Sequence, residues 1–336
     1  MRVLVTGGTG FLGRHIVWRL GELGGEVVFT GRDRAHASVV LAAFDNTQGQ
    51  ARFVPVSHGT PAAARALAEA AQGVDAIVHC AALSAPWGRR EVFEQANVAS
   101  TREVIDACET RQIRRLVHIS TPSLYFDFRD HVNIRENEPL PRPVNTYART
   151  KGIAEQLVMR AEIDTVIALR PRAIFGPWDT TLLPRLLRVA RQTRLPLMRG
   201  GSSLVDLTYV DNVVDAVMLA LDASLARATF NISNGEPMTV LALFNALARA
   251  FDFEPRFRRL PYPLVATVAT LLEAGATLAP NWEPPLTRYS AGLLAFSQTL
   301  DLTQARDVLG YAPRVSLADG LRRTAAWFAE QAGNRR

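Results

Sequence analysis

Residues 2–13 read RVLVTGGTGFLG, and the fold turns on how that stretch is parsed. RVLVT, residues 2–6, is a short β-rich apolar run, the mark of a buried strand. Glycines at 7, 10 and 13 then punctuate the passage into RHIVWRLGELG, which carries the apolar spacing of a helix. In this context Gly7 permits a tight turn, Gly10 lets backbone approach a pyrophosphate, and Gly13 lets helix pack closely on strand. Backbone N–H groups at the helix start, including those of Phe11 and Leu12, and the positive end of its dipole would hold the phosphates. The expectation is a dinucleotide site.

Outward from that unit the rhythm repeats. Further strands are expected at EVVFT (26–30), RFVPV (52–56), VDAIVHC (74–80), RRLVHIS (114–120), TVIALRP (165–171) and ATFNIS (228–233), with helices near 62–72 and 92–110 between them. Strands alternating with helices predict right-handed βαβ units and an α/β, doubly wound parallel sheet of Rossmann type. After Pro171 a proline- and arginine-rich stretch interrupts the pattern, and the tail from about 236 is mainly helical. The expected division is a dinucleotide-binding domain from 1–171 and about 205–235, and a smaller, mainly helical substrate lobe from about 172–204 and 236–336.

A chain of 336 residues is long enough for two such lobes. Cysteine occurs only at Cys80 and Cys108, with no Cys-x-x-Cys, and Met1-Arg2 passes straight into a strand. These features predict a cytoplasmic protein without a cleaved leader, and no metal site is expected. The net charge of +6 is carried mostly by arginine. Arg185, Arg188, Arg191 and Arg194 are spaced to line one side of a helix, without the interleaved aromatics that nucleic-acid binding would want, so no nucleic-acid partner is expected. The segment LVATVATLLEAGATLA (264–279), between Pro263 and Pro280, makes a helix of roughly 24 Å at ~1.5 Å per residue. That is too short for the ~30 Å hydrocarbon core. A buried core helix is expected, against an interfacial helix beside a greasy pocket or a peripheral membrane contact.

Two stretches bear on chemistry. At the end of the second strand, where a ribose-binding acid usually stands, the sequence has Gly31, followed by Arg32. A guanidinium there can grip a 2′-phosphate in a fork. NADP(H) is therefore the preferred cofactor, with NAD(H) left open because a shift of register would make Asp33 the ribose acid. YARTK, residues 147–151, sets a tyrosine and a lysine one helical turn apart on one face. A phenol is a poor acid or base at neutral pH, and an ammonium beside it moves its pKa toward the working range.

Taken in order, TGGTGFLG, HCAAL, Asn97, HISTPSLY, YARTK and LRPRAIFGP resemble the extended short-chain dehydrogenases/reductases, over about the first 235 residues. The resemblance implies that Tyr147 is the acid/base, that Lys151 holds the nicotinamide ribose, and that a hydroxyl near Tyr125 completes the set. Thr121 takes that role, with Ser120 and Ser123 flanking it. It further implies that Ala81 and Ala82 line the cofactor, that Pro171 meets its nicotinamide end, and that Asn97 supports the site. Where the family often has an Asp near the adenine, this chain has Ser57 and His58.

The pieces HISTPSLYF, LRPRAIFGP and LVDLTYVDNVVDA look most like the branch of 3β-hydroxysteroid dehydrogenases, sterol-4-carboxylate 3-dehydrogenases and 2-alkyl-3-oxoalkanoate reductases. That likeness implies a 3-keto/3-hydroxy oxidoreductase acting on a small apolar molecule, steroid-like or a long-chain β-keto or β-hydroxy acid. Ser84, Ser123 and Trp178 are candidate substrate contacts, and Trp87 and Trp282 lie in segments that could face the same pocket. The alternatives are a sugar-nucleotide epimerase or dehydratase, weakened by the lack of an Asn after the sixth strand and of Asp-Glu after Thr121, and a non-catalytic dinucleotide sensor. A homodimer is left open.

Overall fold

The computed structural model describes residues 1–192, 194–279 and 282–333, apart from the side chains of Asp45, Asn46, Val189, Arg191 and Gln192. Seven strands make the main sheet: β1 (Arg2–Thr6), β2 (Glu26–Gly31), β3 (Gln50–Pro55), β4 (Ala76–His79), β5 (Arg115–Ile119), β6 (Thr165–Pro171) and β7 (Arg227–Ile232). They lie in the order β7-β6-β5-β4-β1-β2-β3, every neighbouring pair parallel. The chain winds outward from β1 to β3 and then resumes at β4 on the other side of β1. The loops leaving β1 and β4 therefore diverge, and a crevice opens beyond their carboxyl ends, where such sheets bind ligands.

Helices cover both faces, so the strands read as near-continuous apolar runs. Alternation along β1 sends Val3 and Val5 into one core and Leu4 into the other. The first core packs the helices Phe11–Glu22 and Val210–Asp222, and the second packs Pro61–Ala70, Ser100–Arg111 and Thr146–Arg160. Outside the sheet, His131–Ile134, Gln298–Leu300, Leu204–Val205 and Met238–Thr239 join into a small second sheet. The tail adds helices at Val240–Ala250, Tyr262–Leu278, Arg288–Ala295 and Leu317–Gly333.

Two expectations are corrected. The apolar segment forms a helix, Tyr262–Leu278, but it is not a core helix. Only Val265, Ala269 and Ala276 are buried, a narrow stripe of small side chains against the Arg288–Ala295 helix. Leu264, Val268, Leu271 and Leu278 face outward, Leu271 at 68% exposure, because no further layer lies over them among the described residues. Pro280, its expected boundary, lies outside the described residues. The arginine row is broken as well. Its helix ends at Gln192, before Arg194, and Arg185 is paired to Glu283 at 2.9 Å. The Arg191 side chain lies outside the described residues.

Candidate active site

The glycine turn is shaped by what it excludes. Gly7 has φ +68°, and a Cβ there would stand 2.9 Å from the Ala81 Cα; at Gly13 it would stand 2.2 Å from the Gly7 carbonyl oxygen. Gly10 precedes the Phe11–Glu22 helix, and no side chain caps that end. The first N–H groups, at Phe11 and Leu12, are therefore left for an anion. This cradle fits the diphosphate of a dinucleotide. Ala81 donates its N–H to Thr6 Oγ1 at 3.2 Å, which holds the loop after β4 against the turn, and Ala82 beside it is exposed.

Arg14, which follows Gly13, is a feature the sequence reading missed. It is buried and donates from Nε to the Gly10 carbonyl (3.3 Å) and from Nη2 to the Thr9 carbonyl (2.7 Å). Its guanidinium lies 4.3 Å from the centre of the Trp178 ring, so the turn is braced from behind by a cation.

At the adenosine end the register is settled. Strand β2 ends at Gly31, where a Cβ would meet Thr9 Oγ1 at 2.2 Å, so a carboxylate at that position would have to displace the Thr9 side chain. Asp33 is occupied elsewhere. It caps the helix Arg34–Ala42, accepting from the Ala35 and His36 N–H groups, and pairs with the His36 ring at 2.6 Å. Arg32 is exposed, with no hydrogen bond or ion pair among the described residues. His58 is tied to Glu103 at 2.6 Å.

The catalytic candidates converge at the carboxyl ends of β4, β5 and β6. Asn145 caps the helix Thr146–Arg160 by accepting from the Ala148 N–H at 2.8 Å, which puts Tyr147 in its first turn and Lys151 one turn on. The Lys151 ammonium is buried and donates to the Ile119 carbonyl at 2.5 Å, with His118 Nε2 at 3.3 Å. Burial pushes this amine down to about 8, with Glu155 pulling the other way. Beneath it His118 and His79 stack at 5.3 Å, both held well below the ordinary histidine range by burial and then by the lysine charge. They form a neutral floor. Cys80 is equally inert, its thiol pushed up to about 12 by burial.

The three hydroxyls after β5 part company. Ser120 donates to Glu155 at 2.5 Å, and Glu155 is locked to Arg170 in a buried ion pair. Thr121 donates to Ser123 Oγ at 3.0 Å, and Ser123 shares a 2.6 Å hydrogen bond with the Tyr289 hydroxyl. Ser120 thus serves the scaffold, while Thr121 and Ser123 belong to a hydroxyl chain that Tyr289 enters from the tail. Tyr289 was not foreseen. Its one local signal is the capping box of Thr287 and Ser290 that starts its helix.

Asn97 lies in a π-helical turn, Glu94–Ala99, and joins the two walls. Its amide exchanges hydrogen bonds with both backbone groups of Leu83 (2.7 and 3.3 Å) and donates to Thr150 Oγ1 at 3.0 Å. Ser84, next to Leu83, is exposed, and Pro171 is buried at the end of β6. Trp178 instead stacks between Arg14, Trp18 and Trp327, behind the glycine turn. Its ring is engaged in that packing rather than with Thr121 or Tyr147.

A glycine-turn cradle and a Tyr/Lys helix on one doubly wound sheet coincide with a family match: residues 3–233 fit the model of the NAD dependent epimerase/dehydratase family. The chain belongs to that family. It is an NAD-dependent oxidoreductase of the extended short-chain type. It is 37% identical to the 2-alkyl-3-oxoalkanoate reductase of Stenotrophomonas maltophilia, over 97% of this chain and 99% of that protein. It is 30% identical to the mouse decarboxylating sterol-4-alpha-carboxylate 3-dehydrogenase, over 96% of this chain and 90% of that protein. Among solved structures it resembles MoeE5 in complex with UDP-glucuronic acid and NAD, with a TM-score of 0.75, 24% identity, and 98% and 100% of the two chains covered. That last likeness is one of fold.

Proposed function

We propose that the protein interconverts a keto and a hydroxyl group at carbon 3 of an apolar substrate, steroid-like or a long-chain β-keto or β-hydroxy acid. What supports this most is the length of the likeness to the 3-oxoalkanoate reductase and the sterol 3-dehydrogenase. It runs through the tail beyond residue 233, where substrate rather than cofactor is expected to bind. The nicotinamide cofactor, when bound, supplies or accepts the hydride. Tyr147 gives the proton to the carbonyl oxygen in reduction and takes it back in oxidation. Thr121 turns its one hydroxyl proton from Ser123 to donate a hydrogen bond to the same oxygen. Lys151 keeps a positive charge seated at the cofactor ribose.

The same reading takes NADP(H) as the preferred cofactor. Gly31 carries no carboxylate and is crowded by Thr9, Asp33 is spent on its helix cap, and Arg32 is exposed and unpaired for a 2′-phosphate. The outward leucines of the Tyr262–Leu278 helix serve as an entry for greasy substrate and as a peripheral contact with a lipid surface. No helix among the described residues is long and apolar enough to cross a membrane.

The test is a substrate panel followed by nicotinamide absorbance, with long-chain 3-hydroxy acids, 3-hydroxysteroids and UDP-sugars side by side. Turnover of the first or second class with net change in the cofactor is expected. Conversion of UDP-sugars alone, with no net change, would replace this reading by an epimerase.

A further inference from the structure

Arg172 is a buried cation that the protein leaves incomplete. It is the first residue past β6 and is 6% exposed. Its backbone is fixed, the N–H donating to the Ile232 carbonyl (2.9 Å) and its own carbonyl accepting from Thr208 Oγ1 (2.6 Å). Its guanidinium makes no hydrogen bond or ion pair among the described residues, and Nε is enclosed without an acceptor. Two groups lie near enough to attract it, the Tyr289 phenol and the Asp206 carboxylate, and burial still outweighs both in lowering its pKa.

The surroundings are unfinished in the same way. Asp206 accepts from the Leu300 N–H at 2.7 Å through Oδ2, while its Oδ1 is enclosed without a well-formed hydrogen bond, the Ser233 hydroxyl lying nearby. Gln298 donates to the Pro122 carbonyl at 3.0 Å, and its Oε1 also lacks a partner. Tyr289 connects this corner to Ser123 and Thr121, and its phenol lies within electrostatic reach of Tyr147.

A cation taken out of water without hydrogen bonds is costly, and proteins keep such groups where a ligand completes them. This one sits at the carboxyl end of an interior parallel strand, the end of the sheet on which such folds bind ligands. We propose that Arg172 is a specificity-determining residue that receives the carboxylate of a β-keto or β-hydroxy acid, placing the neighbouring C3 oxygen at Thr121 and Tyr147. The inference rests on the 3-keto/3-hydroxy reading and narrows it. In such an acid the carboxyl carbon is two bonds from C3, so one small headgroup reaches both the guanidinium beside Tyr289 and the hydroxyls of the relay. A planar guanidinium matches a carboxylate with two parallel hydrogen bonds, which a hydroxysteroid without a carboxylate does not offer.

The experiment compares the full-length protein with Arg172→Met and Arg172→Lys, oxidising 3-hydroxydodecanoate and its methyl ester with NADP⁺. The unmutated protein should prefer the acid. Arg172→Met should lose about 10- to 100-fold in kcat/KM on the acid, mostly through KM, with the ester little changed. Arg172→Lys should recover part of the loss. Because an unpaired buried cation is removed, the melting temperature of Arg172→Met should hold or rise. A parallel loss on acid and ester, or a variant that fails to fold, would make Arg172 a structural cation and overturn the proposal. If the unmutated protein oxidises neither compound, the long-chain β-hydroxy-acid arm of the reading fails, and the anion seat is then decided by calorimetry with the NADP⁺ complex. Arg172-dependent binding of dodecanoate but not dodecanol upholds the seat, and equal binding of both refutes it.

Discussion

Tyr147 and Lys151 leave one helix face a turn apart, yet the Lys151 ammonium turns to the Ile119 carbonyl, and no hydrogen bond joins it to the Tyr147 hydroxyl among the described residues. In the proposed mechanism the pair acts by placement. Tyr147→Phe should lower turnover by about 10²–10⁴-fold, the size of a general acid/base contribution, while a cofactor titration stays within a few-fold of the unmutated protein. Turnover within threefold would remove Tyr147 from the chemistry. Lys151 has a pH signature. With its amine pushed down to about 8 by burial, it is charged below that value and neutral above it. Cofactor affinity should weaken about three- to tenfold as pH rises through 8 toward 9.5, and Lys151→Met should be weak and flat across the range. Fluorescence titrations at stepped pH read both. In the proposed reading Arg32 decides between cofactors. NADPH should bind about ten- to a hundredfold more tightly than NADH, and Arg32→Ala should erase most of that difference. Tighter NADH binding by the unmutated protein would make Asp33 the ribose ligand despite its helix cap.

Elements were legible to the degree that their signal was local. The seven strands and the glycine turn follow from short apolar runs and from the places where only glycine fits. Asp33 was read only as a possible ribose acid, and its cap was missed because Asp-Arg-Ala-His continues a strand end as readily as it starts a helix. The π-helical turn at Glu94–Ala99 was invisible, since it exists to bring Asn97 onto Leu83 and Thr150, both distant in sequence. The Tyr262–Leu278 helix was found but turned the wrong way: composition cannot tell an apolar helix that is covered from one that is not. Its exposure makes a direct prediction. Leu271→Glu should change folding stability by no more than about 0.5 kcal/mol, since the side chain is 68% exposed. The same change should reduce co-sedimentation with lipid vesicles and raise KM for long chains more than for short ones. A large loss of stability would return the segment to the core.

Across the whole molecule the chemistry is assembled from segments far apart in the chain. The glycine turn lies near residue 10 and the Tyr/Lys helix near 150, while Tyr289 and Gln298 come from the tail to meet Ser123 and Pro122. The glycine turn was readable because close backbone packing at Gly7 and Gly13 imposes fixed spacings. Arg172 and Tyr289 were not, because they acquire meaning only beside partners dozens of residues away or, for Tyr289 and Ser123, more than a hundred. The central claim is net hydride exchange at carbon 3, as opposed to a hydride lent and returned. The most direct measurement is isotope transfer from reduced cofactor deuterated at C4, prepared in both stereochemical forms, to a long-chain 3-keto acid, with the product read by mass spectrometry. One of the two forms should leave a single deuterium on the carbinol carbon, and Tyr147→Phe should suppress its appearance. No deuterium from either form in the acid, together with conversion of a UDP-sugar without net consumption of cofactor, would contradict the account.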